Sequence, residues 1–148
     1  MEKRYETFTI LINRISRSIR RIKNNEMAEY GLRSVHISCL YYLFLSDGLT
    51  ATELCERCEE DKATISRALD FLERHGYITC QSSSVKRYRA PLHLTDTGRQ
   101  AGQQITDKID RVLERISDSL CETDREIFYR SLNRISESLD SMVCGIDP

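Results

Sequence analysis

The segment "DKATISRALDFLERHG", residues 61–76, carries two kinds of side chain on opposite faces of one predicted helix. Its apolar positions recur at helical spacing and form one stripe: Ile65, Ala68, Leu69 and Leu72. The opposite face is small, hydroxylated or charged: Ala63, Ser66, Arg67 and Asp70. Hydroxyl and guanidinium groups donate hydrogen bonds, and small side chains leave room for a partner to approach. This face is therefore suited to close polar contact.

Six cysteines form a second set of reactive side chains. "CERC" at residues 55–58 has the spacing of metal and redox sites. No second CxxC motif exists, however, and the three histidines are scattered along the chain. We therefore expect no metal at Cys55 and Cys58, one of which should belong to the core. The other four have no motif around them: Cys39, Cys80, Cys121 and Cys144.

Enzymatic chemistry is not indicated by the sequence. It has no Gly-rich phosphate loop, no nucleophile elbow and no HExxH motif, and its acidic residues fall on predicted helix surfaces. We expect neither catalytic residues nor a cofactor. The 148 residues contain no 18-residue apolar run, and the N-terminus "MEKRYETFTI" has no apolar signal core. These features predict a cytoplasmic protein without a membrane partner.

Charge is segregated along the chain, although the net charge is only −1. Residues 1–33 and 62–95 each carry +4, whereas residues 34–61 carry −5 and residues 96–148 carry −4. A polyanion would be attracted to the two basic blocks and repelled by the acidic ones.

Long helices are predicted on both sides of the quoted segment from the spacing of apolar residues. They cover residues 5–23 and 34–46 before it, and helix returns after Thr95, with a long apolar stripe over residues 105–120. "TDRE" at 123–126 has the spacing of a capping box, so a further helix should begin there. The apolar residues of that helix form a heptad-like seam: Phe128, Leu132, Ile135, Leu139 and Met142.

A β-hairpin is predicted over residues 77–94. "YITCQ" has high β propensity, and apolar and polar residues alternate in "YRAPLHL". Pro91 cannot donate a hydrogen bond to a strand ladder, so this strand should lie at an edge or bulge there. The turn between the two strands carries three cations and no acid: Lys86, Arg87 and Arg89.

The order short helix, turn, helix, hairpin is typical of a winged helix-turn-helix. Thr50 and Glu53 form a capping box that opens the short helix, Asp61 caps the next one, and Gly76 ends it. Such a second helix lies in the major groove of DNA. We expect DNA contacts from Lys62, Ala63, Thr64, Ser66 and Arg67. The backbone N–H groups beside Asp61 should also favour a phosphate.

The sequence resembles the MarR family of bacterial winged helix-turn-helix regulators over nearly its whole length. The resemblance rests on "LTATELCERCEEDKATISRALDFLERHGYI", on "YRAPLHLTDTG" and on the spacing between them. It implies a mostly α-helical fold with a small β-hairpin wing and one domain over residues 1–148. Residues 34–95 would be the DNA-binding part, and residues 1–33 and 96–148 would hold dimerisation helices.

The resemblance also implies a homodimer that binds a pseudo-palindromic operator in double-stranded DNA. Its recognition helices would enter successive major grooves, and its wings would reach the minor groove or the backbone. We expect a repressor that a small-molecule effector releases. Dimer contacts are expected from Leu11, Ile15, Phe128, Leu132, Ile135 and Leu139. Many members carry an acidic residue before the wing arginine, where this chain has Lys86, so the choice between Arg87 and Arg89 for the minor groove stays open.

Two other interpretations remain at this point. One of the cysteines would make the protein a thiol- or metal-responsive regulator if it were exposed and had a lowered pKa. Alternatively, the winged helix would be a protein-interaction module without affinity for DNA. The basic run "RISRSIRRIK", residues 14–23, would contact phosphates or, as we expect, form the solvated face of a dimerisation helix.

Overall fold

The structure, a computed structural model, describes residues 3–80 and 89–145, and the described part of the chain holds six α-helices and a two-stranded sheet. The helices are α1 (Lys3–Glu26), α2 (Ser34–Leu45), α3 (Ala51–Cys58), α4 (Lys62–Arg74), α5 (Asp96–Ser117) and α6 (Glu122–Val143). The strands are β1 (Ile78–Cys80) and β2 (Leu92–Leu94). This architecture confirms the predicted, mostly α-helical fold with a small β-hairpin.

Two compact units make up the chain, residues 1–108 and residues 109–148. The first holds α1 to α4, the sheet and the first part of α5; the second holds the end of α5 and all of α6. No helix among the described residues is long and apolar enough to cross a membrane.

The core of the first unit is built from the apolar stripes of α2, α3 and α4. Fully buried side chains come from each of them: Leu40, Leu43, Leu54, Ile65 and Leu72. Burying one such side chain stabilises a protein by about 1.5–3 kcal/mol. The apolar stripe predicted for α4 is buried as expected, which fixes the rotation of that helix and leaves its other face at the surface.

Among the described residues, the second strand is shorter than the sequence predicts, because Arg89, Ala90 and Pro91 lie before it. β1 and β2 pair antiparallel, with Ile78 opposite Leu94 and Cys80 opposite Leu92. On its other side, Leu92 exchanges backbone hydrogen bonds with Gly48 and Leu49, at 3.1 and 3.0 Å. Strand β2 begins directly after Pro91, because proline has no N–H group for the ladder.

Helix α5 begins close to the backbone of the hairpin. The Thr95 hydroxyl accepts a 3.0 Å hydrogen bond from the Gly98 N–H group and donates one of 2.6 Å to the Gly76 carbonyl. A Cβ atom on Gly98 would lie 1.9 Å from the Tyr77 carbonyl oxygen. Only glycine therefore fits at this position of α5.

Helix α6 begins earlier than its predicted capping box. Its N-cap is Cys121, whose sulfur accepts a 3.4 Å hydrogen bond from the Asp124 N–H group. Thr123 lies inside the helix, so the prediction that "TDRE" starts it was wrong. The physical reason is that Cys121 already has the extended backbone of a cap, with φ −68° and ψ 160°.

Candidate DNA-binding surface

Helix α3 is fixed at its start by the predicted capping box. The Thr50 hydroxyl accepts a 3.3 Å hydrogen bond from the Glu53 N–H group, and the Glu53 carboxylate accepts one of 2.8 Å from the Thr50 N–H group. The N–H and hydroxyl groups of Thr50 both donate to this carboxylate and keep the pKa of Glu53 below its usual value, because they favour the charged form. The short helix is thereby held in a defined orientation.

A tight turn joins α3 to α4. Glu59 has a φ of +52°, a left-handed conformation that non-glycine residues seldom adopt. In this conformation it caps α3, since its N–H group donates to Glu56, and the N–H group of Glu60 donates to the Cys55 carbonyl at 3.2 Å. Only Glu59 to Asp61 lie between the two helices, so the position of α3 sets that of α4.

The N-terminus of α4 carries a chain of hydrogen bonds that leads to Arg67. Asp61 caps the helix and accepts hydrogen bonds from the N–H and hydroxyl groups of Thr64, at 2.7 and 3.0 Å. The Arg67 guanidinium donates to the Thr64 hydroxyl at 3.3 Å. The Thr64 N–H group favours the charged carboxylate and lowers the pKa of Asp61.

The surface of α4 carries the five predicted contact residues of this helix. Lys62, Ala63 and Arg67 are exposed, and Thr64 and Ser66 are half-buried. The expected phosphate position at the start of the helix is in part occupied, because the Asp61 carboxylate already accepts from the Thr64 N–H group. A phosphate there would also meet the negative charge of Asp61, and the phosphate contact at this helix start stays a prediction.

The wing is anchored at its base. The ring Nδ1 of His93 lies 3.0 Å from the Asp47 carboxylate, and this contact lowers the pKa of Asp47. Among the predicted wing cations, Arg89 is exposed next to the buried Ala90. Lys86 and Arg87 lie outside the described residues.

Backbone hydrogen bonds join the end of α4 to the wing and to α5. Gly76, at φ +75°, reverses the chain after the helix, as the sequence predicts. The Tyr77 N–H group then donates to the Leu72 carbonyl at 2.9 Å, and the Thr95 N–H group donates to the Tyr77 carbonyl at 3.0 Å. Helix α4 and the hairpin are thus held in one fixed arrangement.

A stack of three rings supports α4 from α2, and nothing in the sequence pattern indicated it. The rings of His36 and Phe71 are stacked with centroids 4.2 Å apart, and His75 stacks on the other face of Phe71 at 4.0 Å. The buried His36 accepts a 3.0 Å hydrogen bond from the Arg33 N–H group at Nδ1. Burial, and the charges of Arg33 and His75, lower the pKa of His36, so its ring is kept neutral.

The cysteines do not form a metal cluster in the part of the chain that the structure describes: no group of three or more His, Cys, Asp or Glu side chains is placed to hold an ion. Cys55 and Cys58 are both half-buried in α3 rather than one being core. Instead, Cys39 of α2 is fully buried, and the neighbouring Cys58 thiol and burial raise its pKa. The two residues were not linked by any motif in the sequence.

The predicted dimer residues lie on exposed apolar faces. On α1, Leu11 is 46% and Ile15 is 49% exposed, and the arginines of the basic run lie at the surface of the same helix. On α6, the seam is exposed apart from the half-buried Leu132: Phe128, Ile135, Leu139 and Met142. Each helix therefore presents an apolar stripe that its own unit does not cover.

Comparison with known proteins agrees with this geometry. The family model for the winged helix DNA-binding domain matches residues 35–113. The HTH-type transcriptional repressor YetL of Bacillus subtilis (strain 168) is 28% identical over 131 residues, which are 84% of this chain and 76% of YetL.

Two solved structures have the same fold. The DNA complex of MepR from Staphylococcus aureus matches with a TM-score of 0.80 at 22% identity, covering 89% of this chain and 97% of MepR. A crystal structure of MarR matches with a TM-score of 0.73 at 26% identity, covering 93% of each chain. These findings confirm the resemblance to MarR regulators that the sequence predicts. The chain belongs to the family of winged helix DNA-binding domains and is a DNA-binding regulator of transcription.

Proposed function

We propose that this protein represses transcription by binding, as a homodimer, to a pseudo-palindromic operator. The observation that carries the proposal is the hydrogen-bonded chain from Asp61 through Thr64 to Arg67 on the open face of α4. A guanidinium that is already oriented loses little freedom on binding a base edge. Bidentate contact between arginine and guanine is the commonest specific contact in the major groove.

In the proposed complex, α4 enters the major groove with Ala63 and Ser66 facing the bases. Small side chains at these positions let the helix backbone approach the floor of the groove. Lys62 and Arg67 supply positive charge beside the phosphates, and Arg89 extends this surface; DNA contacts from Lys86 and Arg87 are expected from the sequence alone. A narrow minor groove has a strongly negative potential, which attracts the positive charge of an arginine side chain.

We propose that a second copy of the chain covers the apolar stripes of α1 and α6. Apolar side chains exposed at this density on helices are typical of protein interfaces. A two-fold dimer would place its two α4 helices about 34 Å apart, in successive major grooves of one face of the duplex. The basic residues of α1 would then form the solvated side of the dimerisation helix.

The effector that would release the operator is proposed from the family resemblance. A groove of about 420 Å³ in the second unit is lined by Asp110, Leu113, Glu114, Ser117, Asp118 and Arg125. Four of these six side chains are charged, unlike the mostly apolar lining of sites for drug-like ligands. We assign no effector to it. The regulator would work in the cytoplasm, on chromosomal DNA, without a cofactor and without catalysis.

Selection of bound fragments from a random duplex pool, with the purified protein, tests the proposal. We expect an enriched two-fold sequence whose half-sites are one helical turn apart. Arg67→Ala should weaken binding to that sequence by about 1–3 kcal/mol. Arg74→Ala, at the other end of the same helix, is the matched control and should bind almost as tightly as the native protein. Equal affinities of Arg67→Ala and the native protein would contradict the assignment of α4.

A further inference from the structure

The first part of α5 packs closely against three other elements of the first unit. At its start, the Thr95 hydroxyl bonds to the Gly76 carbonyl after α4, and Gly98 approaches the backbone of the hairpin. One turn later, a Cβ atom on Gly102 would lie 2.8 Å from the Cβ atom of Phe44 in α2. This part of α5 is therefore held firmly against α2, the end of α4 and the hairpin.

The end of α1 is held by Lys108, further along α5. Its ammonium group donates a hydrogen bond to the carbonyl of Glu26, the last residue of α1. The carboxylates of Glu26 and Glu29 lie 3.7 and 3.8 Å from the same ammonium group. The last carbonyls of a helix have no partner within it, and the negative end of the helix dipole attracts a cation. Lys108 therefore caps α1 from a different helix.

A second contact, one turn earlier on the same face of α5, fixes the direction of α1. Gln104 accepts a hydrogen bond at its amide oxygen from the Tyr30 hydroxyl. Tyr30 ends the short 3-10 helix, Ala28–Tyr30, that follows α1. Residues 104 and 108 are neighbours on one helix face, because they are four positions apart. Two such contact points define an angle as well as a position.

We infer that Lys108 determines which spacing between operator half-sites the protein accepts, an inference that rests on the proposed dimer. In that dimer, a second copy covers the apolar stripe of α1. The direction of α1 relative to α5 then sets where each protomer carries its α4. Because α5 is held against the end of α4, a change of this angle would change the distance between the two recognition helices.

The length of α1 makes this distance sensitive to a small change of angle. Its 24 residues, at about 1.5 Å each, form a helix about 36 Å long. A tilt of about 5° at its end beside Lys108 would move the other end by about 3 Å, close to the rise of one base pair. A junction held by Lys108 should therefore select one spacing, and a looser junction should accept several.

Operator affinity as a function of half-site spacing tests the inference. The duplexes carry the selected half-sites at the selected spacing, or with one base pair added or removed, and anisotropy titration gives the affinities. For the native protein, we expect the altered duplexes to bind at least about fivefold more weakly, because such a site must be deformed to fit. In Lys108→Met, which keeps the aliphatic stem and loses the ammonium group, the ratio of affinities should fall toward one. Lys108→Arg keeps a cation that can donate to the carbonyl, so it should restore the native preference.

Arg115→Met is the matched control, because it removes a cation at an exposed position of the same helix. Its spacing preference should equal that of the native protein. Sedimentation velocity and circular dichroism check that each variant is a folded dimer. Tyr30→Phe, which loses the bond to Gln104, should relax the preference in the same direction, and it decides the question if Lys108→Met does not form a folded dimer.

An unchanged spacing preference in Lys108→Met overturns the inference and leaves the proposed function intact. The same holds for an equal relaxation in Arg115→Met, or for a Lys108→Arg protein that is as relaxed as Lys108→Met. If the native protein binds no two-fold site, or binds all spacings equally, the proposed function fails, and the inference fails with it.

Discussion

The Arg67 guanidinium donates a hydrogen bond to the Thr64 hydroxyl at 3.3 Å, and that hydroxyl donates in turn to the Asp61 carboxylate at 3.0 Å. A helix cap and a predicted base-contacting arginine thus belong to one hydrogen-bonded chain. The cap therefore has two effects: it stabilises the start of α4, and it orients Arg67 before DNA is present.

Replacing Thr64 by valine separates these two effects. Valine keeps the branched shape and the N–H group that Asp61 accepts from, but it cannot accept from Arg67. We expect the free energy of unfolding to change by less than about 0.5 kcal/mol, as for most surface substitutions. Operator affinity should fall by about 0.5–1.5 kcal/mol, the cost of ordering one long side chain on binding. Urea denaturation and anisotropy titration measure the two quantities.

Thr64→Ser is the control for this prediction, because it restores the hydroxyl on a smaller side chain. Its operator affinity should return close to that of the native protein. If the valine variant binds the operator as tightly as the native protein, the hydrogen bond from Arg67 to the Thr64 hydroxyl does not contribute to operator affinity.

Gly98→Ala should destabilise the first unit strongly. The new Cβ atom would lie 1.9 Å from the Tyr77 carbonyl oxygen, a backbone atom that cannot move aside as a flexible side chain can. We expect the free energy of unfolding to fall by about 3 kcal/mol or more, at the upper end of overpacking effects. Gln103→Ala, at an exposed position of the same helix, should lower the free energy of unfolding only slightly. Equal stability of the two variants would contradict the close approach of α5 to the hairpin.

His36 should make stability depend on pH. Burial lowers its pKa in the folded protein, whereas an unfolded chain has a histidine pKa of about 6.5. Between these two values the unfolded state binds more protons, so stability increases with pH. The contribution of His36 is therefore complete above about pH 6.5 and is lost as the pH falls toward its lower, folded pKa.

The measurement is urea unfolding at several pH values between neutral and mildly acidic. His36→Phe keeps a ring on Phe71 but removes the titrating group, so its stability should decline less on acidification than that of the native protein. His75→Phe keeps the titrating His36 and removes only the charge of His75, a smaller cause of its lowered pKa than burial, so its pH profile should stay closer to that of the native protein. A His36→Phe variant with an unchanged pH profile would assign the acid sensitivity to other groups.

Leu132→Asp should prevent dimerisation. In the proposed dimer, the carboxylate would be buried in an apolar interface without a partner, which costs several kcal/mol. Sedimentation velocity should show a monomer, and operator binding should be lost. Asn133→Asp adds the same group at the neighbouring exposed position and should remain dimeric. A Leu132→Asp protein that is still a folded dimer would place the interface elsewhere.

Features set by local interactions could be predicted from the sequence. The Thr50 and Glu53 capping box, the Asp61 cap and the left-handed Gly76 depend on residues within a few positions of one another, and all three are present. The apolar stripe of α4 was also predictable, because burial of one helix face follows from its periodicity. These features were enough to identify the winged helix.

Features set by tertiary packing could not be predicted. The effect of Cys58 on the pKa of Cys39 depends on how α2 packs on α3, and the ring stack of His36, Phe71 and His75 depends on how α2 packs on α4. The start of α6 was missed for another reason: cysteine is a weak capping residue, and Thr123 nearby was a stronger signal by residue type.

The central claim is that this protein recognises a specific operator through α4 and the wing, and salt-dependent binding tests it most directly. Anisotropy titrations of the native protein should be made on the selected operator and on a random duplex of equal length, at several salt concentrations. We expect log K to fall linearly with log salt for both duplexes, with a slope of about −0.9 for each phosphate contact. The operator should bind at least about 10³-fold tighter than the random duplex. Equal affinity for the two duplexes, or binding that does not depend on salt, would contradict the account.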